Sequence, residues 1–98
     1  MEKIVRDGKV AVAVSYGFGA GWSTWNQIDP MDARFNQLFL EGKWKEAAAL
    51  CEVSDLGYGG GAEDVEIVWL PEGTEFIITE YDGSESLELK DESYWRIA

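Results

Sequence analysis

The residues best suited to binding chemistry lie in one stretch, residues 16–26, which is rich in glycine and tryptophan. Glycines let the backbone approach a partner closely, and successive backbone amides can hold an anion such as phosphate. Tryptophan rings can stack a base, while hydroxyl and amide side chains can bond its polar edges. The stretch therefore predicts a binding loop for a nucleotide-like ligand. The residues expected to line it, with one tyrosine from a second loop, are Tyr16, Gly17, Phe18, Gly19, Gly21, Trp22, Ser23, Thr24, Trp25, Asn26 and Tyr58.

A second interpretation of the same loop is purely structural. Buried aromatic residues commonly do no more than pack, so Trp22 and Trp25 could belong to the core and the glycines to a tight turn. The loop also lacks the lysine of the Walker phosphate-binding pattern. The cations that could compensate an anionic ligand are Arg6, Lys9 and Arg34. Both interpretations stay open at this point.

Binding is more strongly indicated than catalysis. The chain has no histidine, so a nucleophile at Ser15 or Ser23 would lack its usual base. Glu80 with Asp82 or Glu85 could hold a hard cation, yet acidic residues beside Asp-Gly turns occur on many strands without metal. We therefore expect no enzymatic activity, no cofactor and no metal.

The elements that must position the loop begin with an inner strand. Residues 10–14 alternate valine and alanine without a polar residue, which predicts a strand buried on both faces that ends at Ser15 or Tyr16. Its alanine face leaves room for a closely packed helix. Asp7-Gly8 just before it predicts a hairpin with residues 3–5.

Two short helices are predicted after the loop. Asp29 suits an N-cap, Pro30 the first helical position, and Gly42 the end of the first helix. The second helix is expected over residues 43–53. The residues expected to be buried on the two helices are Phe35, Leu38, Phe39, Trp44, Ala47, Ala48 and Cys51.

A second glycine-rich segment, residues 54–64, contains Tyr58. Glycine-rich connectors usually only connect, so it could simply lead the chain from helix back to sheet. Alternatively it is a lid that closes over the first loop and uses Tyr58 as its contact.

The last third of the chain is predicted to be strands. A turn at residues 71–73 and an Asp82-Gly83 turn separate apolar segments. A two-residue loop at Asp82-Gly83 places Ile78 opposite Leu87. The same register places two further pairs on that face, Phe76 with Leu89 and Glu80 with Glu85. We expect either a lysine or arginine to screen the two glutamates or a ligand to bind there. Tyr94, Trp95 and Ile97 predict a short terminal strand.

These elements predict an α+β fold, mainly an antiparallel sheet of about five strands with two short helices packed on one face. Residues 1–98 are expected to form a single domain. The alternative is a small, partly closed β-barrel with the helices plugging one end.

Composition favours some partners over others. With 19 acidic and 8 basic residues the net charge is −11, which disfavours direct binding to a nucleic-acid backbone. Such a surface favours a basic protein and can imitate nucleic acid, although the charge could serve solubility alone. One cysteine excludes an internal disulfide, and Cys51 is expected to be a buried small hydrophobe. We expect no membrane segment and a cytoplasmic protein.

Four motifs carry a resemblance to a known group: Lys9-Val-Ala-Val-Ala-Val, Tyr16-Gly-Phe-Gly-Ala-Gly-Trp-Ser-Thr-Trp-Asn26, Pro71-Glu-Gly-Thr-Glu-Phe and Glu80-Tyr-Asp-Gly-Ser-Glu-Ser. Together they resemble a family of small uncharacterised proteins of tailed bacteriophages over most of the chain. That family has no assigned activity, so the resemblance implies no site residue. It implies a context, the host cytoplasm, in which small accessory phage proteins frequently counter host defence.

Two functions of different classes follow as hypotheses. The first is a non-enzymatic protein that sequesters a nucleotide-like signal between the two glycine loops, where a homodimer could complete the pocket. The second is an acidic inhibitor that binds a basic host protein of a nucleic-acid-handling defence complex in place of its nucleic acid.

Overall fold

The strand of alternating valine and alanine lies at the centre of the fold. In the computed structural model, which describes residues 1–89 and 96–98, this strand is β2 (Lys9–Ser15), and all of it except Lys9 is buried. It pairs antiparallel with the short strand β1 (Val5–Arg6) and with β3 (Val65–Pro71). The predicted end of the strand at residue 15 or 16 is confirmed.

A second antiparallel sheet has the order β5-β4-β6. Its strands are β4 (Glu75–Tyr81), β5 (Ser84–Leu89) and β6 (Arg96–Ile97). The predicted register of the β4–β5 hairpin is confirmed, since Ile78 lies opposite Leu87 and Glu80 opposite Glu85. Of the terminal strand that the sequence predicts, Ile97 lies in β6, whereas Tyr94 and Trp95 lie outside the described residues.

Both Asp-Gly pairs form the predicted hairpin turns. Asp7 and Gly8 have φ of 52° and 74°, and Asp82 and Gly83 have φ of 50° and 86°. Two successive residues with positive φ give the turn whose twist matches that of the flanking strands. The turns therefore fix the register of β1 on β2 and of β4 on β5.

The helices are α1 (Ala33–Leu40) and α2 (Trp44–Val53), with a short 3₁₀ turn over Ala62–Asp64. The predicted start of α1 at Asp29 is wrong, because Asp32 is the N-cap and accepts a hydrogen bond of 2.9 Å from the Arg34 amide. The Pro30 carbonyl instead accepts the Ala13 amide at 2.9 Å. This bond ties residue 30 to the edge of β2 and delays the helix by one turn.

The two faces of β2 build two separate cores. Its valines pack against Phe76 of β4 and form one apolar cluster with the second sheet. Its Ala13 packs in another cluster with Trp22, Phe35 and Ala47, on the helical side. The first sheet is therefore the middle layer, with the helices on one face and the second sheet on the other.

The fold is α+β and mainly antiparallel with two helices, as predicted. Within the described residues its strands form two open sheets of three strands rather than the single sheet of about five that the sequence suggests, and neither sheet closes into the alternative barrel. A strand that is apolar on both faces needs a cover on each, which explains the second sheet. The predicted burial of Trp44 is wrong, since 37% of this residue is exposed.

Among the residues that the structure describes, no helix has the length and apolar character needed to cross a membrane.

Candidate functional site

The amides of the glycine- and tryptophan-rich loop bind a carboxylate of the chain itself. Glu85, on β5, is completely buried, and its Oε1 accepts the Ser15 amide at 2.8 Å. Its Oε2 accepts the amides of Trp22 at 2.8 Å and Thr24 at 3.0 Å, and the Thr24 hydroxyl at 2.6 Å. Glu85 therefore occupies three amides in and beside the loop, none of which belongs to the glycines that the sequence predicts as the anion-binding groups.

The register of the β4–β5 hairpin explains why Glu85 is there. It lies opposite Glu80, on the same face as the core residues Phe76 and Ile78. A carboxylate on an inward face must find donors, because a buried charge without partners is very costly. Neutral loop donors provide them, so the expectation that lysine, arginine or a ligand must screen this glutamate pair is wrong for Glu85.

Trp22 is a core residue. It is completely buried, and its ring meets the rings of Phe35 and Phe39 edge-on at centroid distances of 5.6 and 5.1 Å. Its indole nitrogen has no hydrogen-bond partner within the described chain. The ring is therefore covered by protein, and the predicted stacking of a ligand on Trp22 is not available in this conformation.

Asn26 joins the two glycine loops. Its Nδ2 donates to the carbonyls of Trp22 at 2.9 Å and Gly60 at 3.4 Å, and its Oδ1 accepts the Tyr58 amide at 3.2 Å. The side chain is buried. Its amide therefore holds the second loop against the first instead of being free to bond a ligand.

The first loop is also tied to the turn of the β4–β5 hairpin. The Gly19 amide donates to the Asp82 carbonyl at 2.8 Å, and the Ser84 hydroxyl donates to the Tyr16 carbonyl at 2.9 Å. A Cβ at Gly83 would overlap the backbone of Ala20. Loop and hairpin turn therefore form one packed unit.

The remaining predicted site residues divide between this unit and its surface. Gly21 and Asn26 are buried, Ser23 is half-buried, and Thr24 is exposed although its hydroxyl bonds Glu85. Gly17 lies against the Asp64 carboxylate, which a Cβ at residue 17 would overlap.

Four of the predicted residues are exposed aromatics grouped around the hairpin turn, and we call them the aromatic end. Tyr16 and Phe18 flank Gly17 in the loop that packs on the turn, Trp25 bonds Glu80 of β4, and Tyr58 contacts Trp25. Their exposed fractions are 43% for Tyr16, 74% for Phe18, 43% for Trp25 and 53% for Tyr58. The fold thus places all four aromatics beside the packed loop and hairpin turn without burying them.

The charged groups that the described residues place at the aromatic end are carboxylates. Besides Asp64 beside Gly17, Glu66 lies near Tyr16, where burial first and then the charge of Glu66 raise the pKa of the phenol. The ion pairs between described residues lie elsewhere, in and around the helices, and join Arg34 to Asp32 and Lys43 to Glu41.

The cations proposed to compensate an anionic ligand are distant or engaged. Arg6 and Lys9 lie at the start of β2, whereas the loop follows its end, about 20 Å away at the usual rise of an extended strand. Arg34 pairs with Asp32 at 2.9 Å. The electrostatics of the aromatic end therefore oppose a phosphate and favour a cation.

Glu80 remains ionised at the surface. Its Oε2 accepts the Gly83 amide at 2.8 Å and the Trp25 indole nitrogen at 3.1 Å. These two hydrogen bonds, the amide of Gly83 first, lower the pKa of Glu80 below its ordinary value. A fixed negative charge therefore lies at the edge of the Trp25 ring.

Ser15, one of the two serines considered as nucleophiles, has a structural partner, and the thiol of Cys51 is buried. The buried Ser15 hydroxyl donates to the Gly61 carbonyl at 3.0 Å. Burial raises the pKa of the Cys51 thiol, which favours its inert protonated form. No group of three or more acidic or cysteine side chains lies close enough to hold a metal in the part of the chain that the structure describes.

Two open grooves of about 380 Å³ lie away from the aromatic end. Arg6, Asp7, Lys9 and Trp69 line one, and Met1, Glu2, Asp32, Ala33 and Arg34 line the other. Neither includes a residue of the glycine- and tryptophan-rich loop.

Sequence reasoning missed the role of Glu85, although a signal for it was present. The predicted register already placed Glu85 among inward-facing residues, where a carboxylate needs several donors. The segment with spare backbone donors was the loop itself.

Comparison of the chain with protein-family models, with curated proteins and with solved structures finds no match.

Proposed function

We propose that this protein binds a basic, nucleic-acid-handling protein through its aromatic end and occupies the surface on which that partner binds nucleic acid. The observation that carries the proposal is the aromatic end itself, where four exposed aromatic side chains surround a hairpin turn whose nearby carboxylates have no cationic partner among the described residues. This combination suits a partner that is apolar in places and positively charged.

Charge complementarity supports a basic partner. The net charge is −11, and residues 46–89 contain no lysine or arginine. This range includes the second glycine loop and the whole β4–β5 hairpin. A surface of one sign speeds the approach of an oppositely charged partner and discriminates against acidic ones.

The aromatic side chains supply the apolar contacts that charge alone lacks. Tyrosine and tryptophan are enriched among the few residues that dominate binding energy at interfaces. Phe18 is the most exposed of the four and projects from a loop held to the hairpin by the Gly19 amide. A loop that is already packed loses little conformational entropy on binding.

Sequestration of a nucleotide-like molecule remains the other hypothesis from the sequence. The geometry supports it less well, because Glu85 uses the amides of Ser15, Trp22 and Thr24 next to the glycines, and the cations proposed to compensate a phosphate are distant or paired. A nucleotide that raises the melting temperature of the purified protein by mass action would favour sequestration over partner binding.

The bacteriophage context belongs to the proposal as well. In that context the partner is a host protein in the bacterial cytoplasm that handles nucleic acid for defence, and blocking its nucleic-acid surface protects the phage genome.

The proposal is tested by capture of host proteins on the immobilised chain. We expect a basic, nucleic-acid-handling protein to be retained at low salt and released as salt screens the charges. Three chains are compared: the unchanged protein, a Phe18→Ser/Trp25→Ser variant, and a Trp44→Ser control that removes an exposed aromatic on α2.

The pattern across the three chains decides the outcome. The proposal requires that the unchanged chain and the Trp44→Ser control retain the partner while the double variant loses it. Equal retention by all three chains, or a retained partner that is not basic, would contradict it.

A further inference from the structure

Within the aromatic end, the rings of Trp25 and Tyr58 are neighbours, and we call the exposed surface between them the cleft. Their ring centroids are 6.4 Å apart and their planes are inclined by 47°. Rings inclined at this angle are not stacked face to face, so neither ring covers the whole face of the other. About half of each residue is exposed, so a flat group from solvent can reach both rings.

A carboxylate with a free oxygen lies beside this cleft. The Trp25 indole and the Gly83 amide both donate to Oε2 of Glu80, and no residue of the described chain donates to its Oε1. These two bonds hold the carboxylate at the rim of the Trp25 ring. Its Oε1 can accept a further hydrogen bond from a group lying on the ring.

We infer that the cleft between Trp25 and Tyr58 binds an arginine side chain of the partner, with the guanidinium stacked on the rings and bonded to Glu80. This inference rests on the proposed function and names the group that the aromatic end recognises. The Asn26 side chain accepts the Tyr58 backbone N–H and so holds the loop that carries Tyr58 to the loop that carries Trp25.

Arginine fits the cleft better than lysine. Its guanidinium is planar, stacks on aromatic faces and carries several N–H donors at its edge, whereas a lysine ammonium is compact and strongly hydrated. A cation over a tryptophan face is favoured further when an anion is nearby. The cleft should therefore distinguish arginine from lysine at equal charge.

The test uses two blocked six-residue peptides of equal charge, one alternating arginine with glycine and the other alternating lysine with glycine. Each is titrated at low salt into the ¹⁵N-labelled full chain, and the indole N–H signals are followed by NMR. We expect the Trp25 signal to shift and saturate with the arginine peptide, the lysine peptide to bind roughly tenfold more weakly, and the buried Trp22 signal to stay in place.

Three variants separate the cleft from charge alone. Tyr58→Leu and Glu80→Gln should each weaken the arginine peptide several-fold, while Trp44→Leu, which removes an exposed ring on α2, should leave its affinity unchanged. The Trp22 signal reports in each variant whether the fold is intact, and all three substituted residues are exposed.

The arginine cleft would be overturned if the two peptides bound equally well. It would also be overturned if both Tyr58→Leu and Glu80→Gln bound the arginine peptide with unchanged affinity. The capture experiment fails separately. If the double variant loses its partner but the two peptides bind equally, the proposed function stands without this cleft. If the arginine peptide binds more tightly but no basic partner is captured, the cleft stands without the proposed function.

Discussion

Glu85 organises the site at the level of single residues. Its carboxylate accepts four hydrogen bonds from Ser15, Trp22 and Thr24 and so fixes the path of the loop that carries Phe18 and Trp25. Bonds from neutral donors to a buried charge are among the stronger hydrogen bonds in proteins. Glu85, which shapes the aromatic end, is itself completely buried.

We predict that Glu85→Gln lowers the free energy of unfolding by about 2–4 kcal/mol, because its amide nitrogen would face backbone donors and leave at least one of them without an acceptor. Glu88→Gln, an exposed change on the same strand, should alter it by less than about 0.5 kcal/mol. Urea denaturation of both variants measures the difference. Equal stability of the two would show that the carboxylate is not the anchor of the loop.

A second residue-level prediction concerns Glu80. Its pKa lies below the ordinary value because of the Gly83 amide first and the Trp25 indole second. The interaction therefore stabilises the fold above the ordinary carboxyl pKa, and this stabilisation is lost as the pH falls through the lowered value. In Trp25→Phe the pKa of Glu80 should rise yet remain below its ordinary value, while Trp44→Phe should not change it. An NMR titration of the Glu80 carboxyl carbon measures both, and an unchanged pKa in Trp25→Phe would exclude the indole bond.

The two Asp-Gly turns provide a matched comparison at the level of elements. Gly8 and Gly83 have similar positive φ, but a Cβ at Gly8 would meet no atom within 4 Å, whereas one at Gly83 would overlap Ala20. Gly8→Ala should therefore cost only the left-handed strain of about 1 kcal/mol. Gly83→Ala should cost about 2 kcal/mol or more, because the loop must also move away from the hairpin.

Thermal unfolding of the two alanine variants measures this difference, and NMR shows whether the indole signal of Trp25 moves in Gly83→Ala alone. If both variants lose the same stability, the packing of the glycine loop on the hairpin contributes nothing.

The elements whose signals are local were predictable from the sequence. The alternation of side chains predicted β2, and the Asp-Gly turn, which needs positive φ, predicted the register of β4 on β5. The structure confirms both predictions. The start of α1 was not predictable in the same way. Asp29 and Asp32 are both good caps, and the choice depends on the bond between Ala13 and Pro30, which forms only when β2 is in place.

The sequence predicted which residues lie at the candidate site, but only partly what each of them does there. Exposed Trp25 and buried Trp22 lie three residues apart in one loop, and their sequence environment does not tell them apart. The contacts of Trp22 with Phe35 and Phe39 decide the matter, and these depend on how α1 packs against the first sheet. The sequence likewise does not show that the loop amides are occupied, because their acceptor, Glu85, lies on a strand that is distant in the chain.

At the scale of the whole molecule, the cations near β2 lie at the opposite end of this strand from the aromatic end. Lys3, Arg6 and Lys9 lie at or before the start of the strand, while the loop and hairpin at its other end carry carboxylates and exposed aromatics. We predict that the association rate with a basic partner falls steeply as salt increases from 50 to 300 mM, roughly tenfold, while the dissociation rate changes less. Stopped-flow measurement of both rates tests this, and an association rate independent of salt would rule out charge-led binding.

The most direct test of the central claim is displacement of a fluorescently labelled DNA duplex from the captured partner, followed by fluorescence anisotropy. We predict that the unchanged chain and Trp44→Ser displace the duplex at similar concentrations and that Phe18→Ser/Trp25→Ser requires roughly tenfold more. Binding of the chain to the partner with the duplex still in place, or equal displacement by all three chains, would contradict the claim that the aromatic end occupies the nucleic-acid surface.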